Sequence, residues 1–85
     1  MKITIYSTTW CPSCVSAKQL LNSKNISFTE INIEDKNMSR EDLAKITGGR
    51  TVPQIVINNK CIGGFENLVI INQNGNLDRM ISDEN

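Results

Sequence analysis

Two cysteines separated by a proline and a serine are the residues of this chain best suited to chemistry. They are Cys11 and Cys14, in the segment TTWCPSCVSA. Two thiols at this spacing can ligate a metal, close a disulfide, or act as an activated nucleophile with a second thiol beside it. They can also simply pack in an apolar core. The rest of the sequence has to distinguish these kinds of site.

A zinc site is disfavoured by the composition. The chain has three cysteines and no histidine, so zinc would need Cys11, Cys14, Cys61 and a carboxylate. An odd number of cysteines also argues against a secreted disulfide framework. In a reducing compartment a close cysteine pair is more typical of redox chemistry. We therefore expect no metal.

The position of the pair favours a nucleophile with a resolving partner. Cys11 falls where a predicted strand ends and a helix begins at Pro12, so its sulfur faces free N–H groups and the positive end of the helix dipole. This environment stabilises a thiolate. Cys14 lies one turn further on the same face, where it can reach the first sulfur and should be more buried and less ionised. We expect Cys11 to attack and Cys14 to resolve, closing the Cys11–Cys14 disulfide.

Alternating and helical spacings of the apolar residues predict the element order β-α-β-α-β-β-α, followed by a further short helical segment. The predicted strands are 2–7, 26–33, 54–58 and 60–64, and the predicted helices are 12–24, 40–46, 66–73 and 76–82. The first β-α-β crossover implies parallel strands, and a later hairpin adds antiparallel ones. This order predicts one α/β domain over 1–85, with a frayed tail at 83–85.

Local signals support several of these elements. Ser39 and Asp42 form the pattern of a capping box before the second helix. Leu43 and Ile46 are predicted to face inward from that helix. Asparagines 58–59 tolerate the left-handed conformation of a two-residue hairpin turn.

Bulk composition excludes several classes of function. Nine basic and nine acidic residues cancel, so the chain lacks the charge that binding to nucleic acid or anionic lipid requires. The first ten residues do not resemble a secretory signal, and the sequence contains no apolar run long enough to cross a membrane. We expect a cytoplasmic protein that binds neither nucleic acid nor membrane.

The chain resembles the glutaredoxin family over nearly its whole length. The resemblance is carried by WCPSC after KITIYS, by GGRTVPQIVI and by CIGGFEN. It implies a thioredoxin-like fold, with a central four-stranded mixed sheet flanked by three or more helices. It also implies a monomer that uses glutathione to reduce protein disulfides and protein–glutathione mixed disulfides.

The resemblance also implies the residues of the site. Pro12, Ser13 and a cis-Pro53 would support the cysteines. The backbone of Val52 would pair with the substrate, and the residues after Gly63 would form a helix start that receives the γ-glutamyl carboxylate of glutathione. The predicted glutathione-binding residues are Thr51, Val52, Gly64, Phe65, Glu66, Arg40 and Arg50, with the two arginines assigned to the glycine carboxylate.

The sequence departs from many members of the family at two positions. Thr8 stands where they carry a lysine, and Ser13 stands where they carry a tyrosine. The first change removes a positive charge near the thiolate, and the second leaves a more open and polar lip. Trp10 is expected either to form an apolar platform beside the site or to be partly buried in packing, and Cys61 to be a buried small hydrophobe.

Two other functions stay open from the sequence. Some glutaredoxins bridge a [2Fe-2S] cluster between two protomers, using the first cysteine of each and two glutathiones; Pro12 argues against this, because the cluster binders more often have glycine or serine there. A redoxin reduced by thioredoxin reductase is the third possibility. The segment GGFEN is more typical of glutathione users.

Overall fold

The computed structural model describes residues 2–82, so the predicted fraying of 83–85 lies outside the described residues. The strands are β1 (Ile3–Ser7), β2 (Thr29–Asn32), β3 (Gln54–Ile57) and β4 (Lys60–Gly63). The helices are α1 (Pro12–Ser23), α2 (Arg40–Thr47), α3 (Phe65–Gln73) and α4 (Asn76–Ser82). The predicted order of elements is confirmed.

The four strands form one mixed sheet in the order β2-β1-β3-β4. Strand β1 pairs in parallel with β2 and antiparallel with β3, and β3 pairs antiparallel with β4. The parallel pair results from the α1 crossover, and the last antiparallel pair is the predicted hairpin. This arrangement confirms a thioredoxin-like fold. It also places the end of β1 and the beginning of β3 side by side, with Tyr6 opposite Gln54.

The main core lies between one face of the sheet and helices α1, α3 and α4. It is built by the inward-facing residues of the two central strands, by one or two apolar residues from each of these helices, and by one residue of the loop between α1 and β2. These residues are Ile3, Ile5, Ile55, Ile57, Ala17, Leu21, Ile26, Leu68 and Leu77. Each buried leucine or isoleucine contributes about 1.5–3 kcal/mol of hydrophobic free energy.

The opposite face of the sheet is covered less completely. Leu43 of α2 is fully buried, as predicted, but Ile46 is 54% exposed, so its predicted inward orientation is wrong. The helix has only eight residues, and its buried stripe is one residue wide at Leu43. Ile46 instead borders a cavity of about 250 Å³, together with Tyr6 and Cys61.

Strand β2 is shorter than predicted. Its ladder begins with Thr29 opposite Thr4 and ends with Asn32 opposite Ser7, the last residue of β1. The apolar alternation over 26–33 overestimates the length of the strand, because it includes buried residues that lie before and after β2 in the chain. Both edge strands, β2 and β4, have four residues, and an extra residue in β4, Ile62, shifts its pairing with β3.

The local turn signals are confirmed. The Ser39 hydroxyl accepts from the Asp42 N–H at 3.0 Å, and the Asp42 carboxylate accepts from the Ser39 N–H at 3.2 Å. Gly48 ends α2 with a φ of 84°, a left-handed conformation that favours glycine. Asn58 and Asn59 have φ values of 52° and 70°, as a two-residue hairpin turn of this kind requires.

Two residues of α3 provide a matched test of this packing. Leu68 is fully buried and Ile70 is 55% exposed. We expect Leu68→Ala to lower the free energy of unfolding by about 2–5 kcal/mol, because it removes buried apolar surface and leaves a cavity. Ile70→Ala should change it by less than about 1 kcal/mol. Urea denaturation of both variants measures the difference, and equal losses would contradict this assignment of the core.

Candidate active site

The sulfur of Cys11 caps helix α1. Cys11 has an extended backbone, with φ −87° and ψ 109°, and Pro12 occupies the first helical position. The Cys14 N–H donates to the Cys11 Sγ over 3.1 Å. The Cys11 sulfur is thus the N-cap acceptor of α1, a role that a serine, threonine, aspartate or asparagine oxygen commonly has. This contact holds the Cys11 sulfur against the backbone at the N-terminal end of α1.

The Val52 carbonyl is the second partner of Cys11. In the reduced protein the Cys11 thiol donates to this oxygen over 3.6 Å. The Val52–Pro53 peptide bond is cis, as expected from the resemblance, and Pro53 is buried. A thiolate has no proton to donate, so ionisation of Cys11 releases the Val52 carbonyl for another donor.

Cys14 is held as a neutral thiol. Both sulfurs are buried, with Cys11 4% exposed and Cys14 1% exposed, so the predicted difference in burial is small. Burial, and after it the hydrogen bond with Cys11, raise the pKa of Cys14 to about 12. The backbone of Thr8 and the charge of Lys18 act in the opposite direction. The raised pKa of Cys14 therefore depends on its hydrogen-bond partner as well as on its burial.

A polar network lies beside Cys14 on the α1 side of the sheet. One oxygen of the Glu30 carboxylate accepts from the Lys18 Nζ at 2.8 Å and from the Ser7 hydroxyl at 2.6 Å. Ser7 is fully buried at the end of β1. These two hydrogen bonds, with Lys18 as the larger cause, lower the pKa of Glu30. The network joins α1, β1 and β2.

A groove of about 390 Å³ opens next to the cysteines. It lies between the lip of α1, the segment before β3 and the start of α3. Its lining residues are Ser13, Thr51, Val52, Pro53, Gly64, Phe65, Glu66 and Asn67.

The start of α3 contributes unsatisfied backbone donors to this groove. Gly64 is the N-cap residue, and within the described residues it provides no side-chain hydrogen bond to α3. The first N–H groups of the helix are consequently available to an anion. A Cβ on Gly64 would lie 3.4 Å from the Pro53 carbonyl oxygen, so the two walls of the groove approach closely. The Asn67 amide donates to the Ile62 carbonyl at 2.9 Å and closes the turn below.

The two candidate arginines lie outside the groove lining. Arg40 begins α2, where its Nη1 donates to the Arg50 carbonyl at 2.9 Å. Its guanidinium also lies 5.9 Å from the ring centroid of Trp10, at the distance of a cation–π contact. Trp10 is 63% exposed, so it is a surface residue next to Cys11 and not part of the packing. These contacts link α2 to the rim of the site.

The structure also defines the surroundings of Thr8 and Cys61. Thr8 is buried, and its hydroxyl has no hydrogen-bond partner among residues 2–82. Cys61 is half-buried, so its predicted full burial is wrong. It lies on the edge strand β4 and on the less covered face of the sheet, where its thiol donates to Gln54 at 3.5 Å.

The sequence did not single out Ser7, Lys18 or Glu30. One signal was available, because Lys18 follows Cys14 by four residues and the two share a helix face. The contacts of Glu30 were not available, since they depend on the register of β2 against β1.

Within residues 2–82 the chain offers neither a metal-binding cluster nor a membrane-spanning helix. Among residues 2–82 the Cys, Asp and Glu side chains form no group of three that could hold a metal ion. The absence of a metal stays a prediction. None of the helices over this range is long and apolar enough to cross a membrane.

Known proteins resemble this chain in both sequence and structure. The family model described as Glutaredoxin matches residues 3–62. A Pseudomonas aeruginosa protein named Glutaredoxin is 42% identical over 80 residues, covering 94% of this chain and 95% of its own. Glutaredoxin 3 of Escherichia coli K12 is 40% identical over 79 residues, covering 93% of this chain and 95% of its own.

Solved structures have the same fold. The crystal structure of a buckwheat glutaredoxin–glutathione complex matches with a TM-score of 0.86 and 27% identity, covering 95% of this chain and 76% of that one. The holo form of glutaredoxin C1 from Populus tremula x tremuloides matches with a TM-score of 0.87 and 31% identity, covering 95% of this chain and 83% of that one.

The neutral state of Cys14 can be tested in a chain with no other thiol. In a Cys11→Ser, Cys61→Ser variant the largest cause of the raised pKa, burial, is retained. We expect the thiol to titrate above about pH 10 in the folded protein and near its free value of about 8.5 in guanidinium. The ultraviolet absorbance of the thiolate measures both.

The difference between the pKa of Cys14 in the folded and in the unfolded protein makes the free energy of unfolding depend on pH. Because the pKa of Cys14 is raised in the folded state, its contribution to stability is complete below the unfolded pKa and is lost as the pH rises towards the folded pKa. The free energy of unfolding of this variant should therefore fall from about pH 9 upwards. Replacing Cys14 by alanine as well should remove that part of the fall, and an identical pH profile in both variants would contradict the assignment.

Proposed function

Because the chain belongs to the glutaredoxin family and is therefore a thiol-disulfide oxidoreductase, we propose that glutathione is its reductant. Its substrates are protein disulfides and protein–glutathione mixed disulfides. The observation that carries this proposal is the groove that joins the helix start at Cys11 to the uncapped start of α3. The glutathione complex of the buckwheat relative supports the same choice of ligand.

The groove offers complementary partners to the γ-glutamyl end of glutathione. The N–H groups at Phe65 and Glu66 are free to receive its carboxylate, which is stabilised at a helix N-terminus. The Glu66 carboxylate, which is exposed on the same rim, attracts its amino group. Gly64 carries no side chain, so it leaves the helix start open to the carboxylate of the ligand.

The remaining part of glutathione runs along the segment before β3. Thr51 and Val52 line this wall, and the Val52 carbonyl is released when Cys11 ionises. Backbone groups here pair with the cysteinyl part in the manner of an added strand. Arg40 and Arg50 stay the proposed partners of the glycine carboxylate, with Arg50 the more exposed of the two.

Removal of glutathione from a protein needs one thiol of the enzyme. The Cys11 thiolate attacks the glutathione sulfur of the mixed disulfide, forms a Cys11–glutathione disulfide and expels the protein thiolate, which takes a proton from solvent. A second glutathione thiolate then attacks the adduct. It releases oxidised glutathione and restores the Cys11 thiolate.

Reduction of a protein disulfide needs both thiols. Cys11 attacks and forms a mixed disulfide with the protein. Cys14 then loses its proton and attacks the Cys11 sulfur, which closes the Cys11–Cys14 disulfide and expels the second protein thiolate. Two glutathiones restore the dithiol through a Cys11–glutathione adduct. Pro12, Ser13 and Pro53 support the geometry of these steps, and we propose that the protein works as a cytoplasmic monomer.

Replacing each cysteine separates the two reactions. We expect Cys14→Ser to retain removal of glutathione from a glutathionylated peptide and to lose reduction of a peptide disulfide, because only the second reaction needs the resolving thiol. Cys11→Ser should lose both by at least about 10³-fold. Cys61→Ser is the matched control and should retain both activities. Loss of both reactions in Cys14→Ser would contradict this division of roles.

The source of electrons is tested by two coupled assays. We expect turnover with glutathione and glutathione reductase, and little with thioredoxin reductase, because the proposed groove recognises a tripeptide with two free carboxylates. Oxidation of the nicotinamide cofactor by each reductase measures the two rates. Preference for thioredoxin reductase would contradict the proposed function.

Glu66 tests the proposed contact with the glutathione amino group. We expect Glu66→Gln to raise KM for glutathione about two- to fivefold with little change in kcat, the effect expected of one exposed ion pair. Glu41→Gln makes the same change of charge at an exposed position of α2. If both variants raise KM equally, net charge and not a contact of Glu66 is responsible.

A further inference from the structure

We propose that Lys18, held by Glu30 and Ser7, is a positioning residue for the second half of the reaction, in which Cys14 attacks the Cys11 mixed disulfide. This inference rests on the proposed division of roles between the two cysteines. It assigns a function to a polar network that the binding of glutathione does not use.

The network holds the ammonium group of Lys18 on the side of α1 that carries Cys14. Lys18 follows Cys14 by four residues, and side chains at this separation are neighbours on a helix surface. Its Nζ donates to the Glu30 carboxylate at 2.8 Å. The same carboxylate oxygen accepts from the Ser7 hydroxyl at 2.6 Å. Because Ser7 is fully buried at the end of β1, the carboxylate is anchored to the core of the sheet.

Lys24, the C-cap residue of α1, shows what this arrangement adds. Lys24 also makes an ion pair of 2.8 Å, with Asp78 of α4, and its side chain is 25% exposed against 29% for Lys18. Lys24 lies at the far end of the helix, away from the cysteines. The two lysines thus match in charge, exposure and pairing, and differ in their distance from Cys14.

Cys14 needs a nearby positive charge at one step of the cycle. Its thiol is buried and must lose a proton before it can attack. Burial opposes this loss, while the Thr8 backbone and the Lys18 charge favour it. The opposition from the Cys11 thiol is absent at this step, because its sulfur is in the mixed disulfide. Lys18 is the one cation among these groups. The charged group that faces Lys18 from β2 is Glu30, and a carboxylate already accepting two hydrogen bonds is a weak proton acceptor.

Attack of Cys14 on the Cys11 mixed disulfide needs no other reactant. Cys14 releases its proton to solvent, and its thiolate attacks the Cys11 sulfur. The Cys11–Cys14 bond forms as the bond between Cys11 and the substrate sulfur breaks, and the substrate leaves as a thiolate. Lys18 lowers the cost of the Cys14 anion before the attack and does not exchange a proton.

A small aromatic disulfide, dithiobis(nitrobenzoate), resolves the two half-reactions in one experiment. In a Cys61→Ser background, attack by Cys11 releases a first equivalent of coloured nitrothiobenzoate. Attack by Cys14 on the resulting adduct releases a second equivalent. Stopped-flow absorbance gives both rates as a function of pH, and no glutathione is present.

We expect Lys18→Gln to slow the second phase about threefold relative to the first, the scale of a partly screened charge. The slowing should extend over the pH range in which the second rate rises with pH. Lys18→Arg should restore the rate, and Lys24→Gln should leave the ratio of the two phases unchanged. Ser7→Ala changes no charge and removes the anchor of Glu30, so it should slow the second phase if position matters.

Failure of the dithiol function and failure of the role of Lys18 give different results in this experiment. Release of only one equivalent by the parent protein would contradict the proposed dithiol function and, with it, the role of Lys18. Two equivalents with the same ratio of phases in Lys18→Gln and Lys24→Gln would overturn the inference alone. A normal second phase in Ser7→Ala would overturn the positioning role assigned to Ser7 and Glu30.

Discussion

The hydrogen bond from the Cys14 N–H to the Cys11 sulfur is the contact on which the arrangement of the site depends. It caps helix α1 and fixes the Cys11 sulfur at the positive end of that helix. It also holds Cys14 within one turn of Cys11. Because Cys11 is both the cap of the helix and the proposed nucleophile, we expect a change at Cys11 to alter the local fold as well as the chemistry.

Three segments that are distant in sequence meet around this helix start. The sheet order β2-β1-β3-β4 brings the beginning of β3 beside the end of β1, and this places Val52 against Cys11. The β4–α3 turn then brings Gly64 against Pro53. The two walls therefore come from segments that only the tertiary fold brings together.

Much of this architecture was predictable because its signals are local. The capping box at Ser39, the stop at Gly48 and the asparagine turn at Asn58 each depend on a few neighbouring residues. The helix start at Cys11 depends on the strand before it and on Pro12 after it. Local chemistry of this kind is readable without knowledge of the tertiary structure.

The features that escaped prediction depend on contacts between distant residues. Exposure of Ile46 depends on how far the short helix α2 covers the sheet. The contacts of Glu30 depend on the register between β1 and β2, and the position of Arg40 over Trp10 depends on the docking of α2. The two arginines were assigned to glutathione from their positions in the family resemblance and from the shape of the guanidinium, whereas the guanidinium of Arg40 is already engaged by a carbonyl and a ring.

The two short edge strands bear on how the protein behaves at high concentration. With nine positive and nine negative charges, the chain has no net charge to keep its copies apart at neutral pH. Unpaired strand edges are the usual route to association between such molecules. Here β2 has four residues and carries the charged Glu30, and the extra residue in β4 distorts its pairing with β3. The short, charged or irregular edge strands therefore disfavour strand-to-strand association in a chain that has no net charge to keep its copies apart.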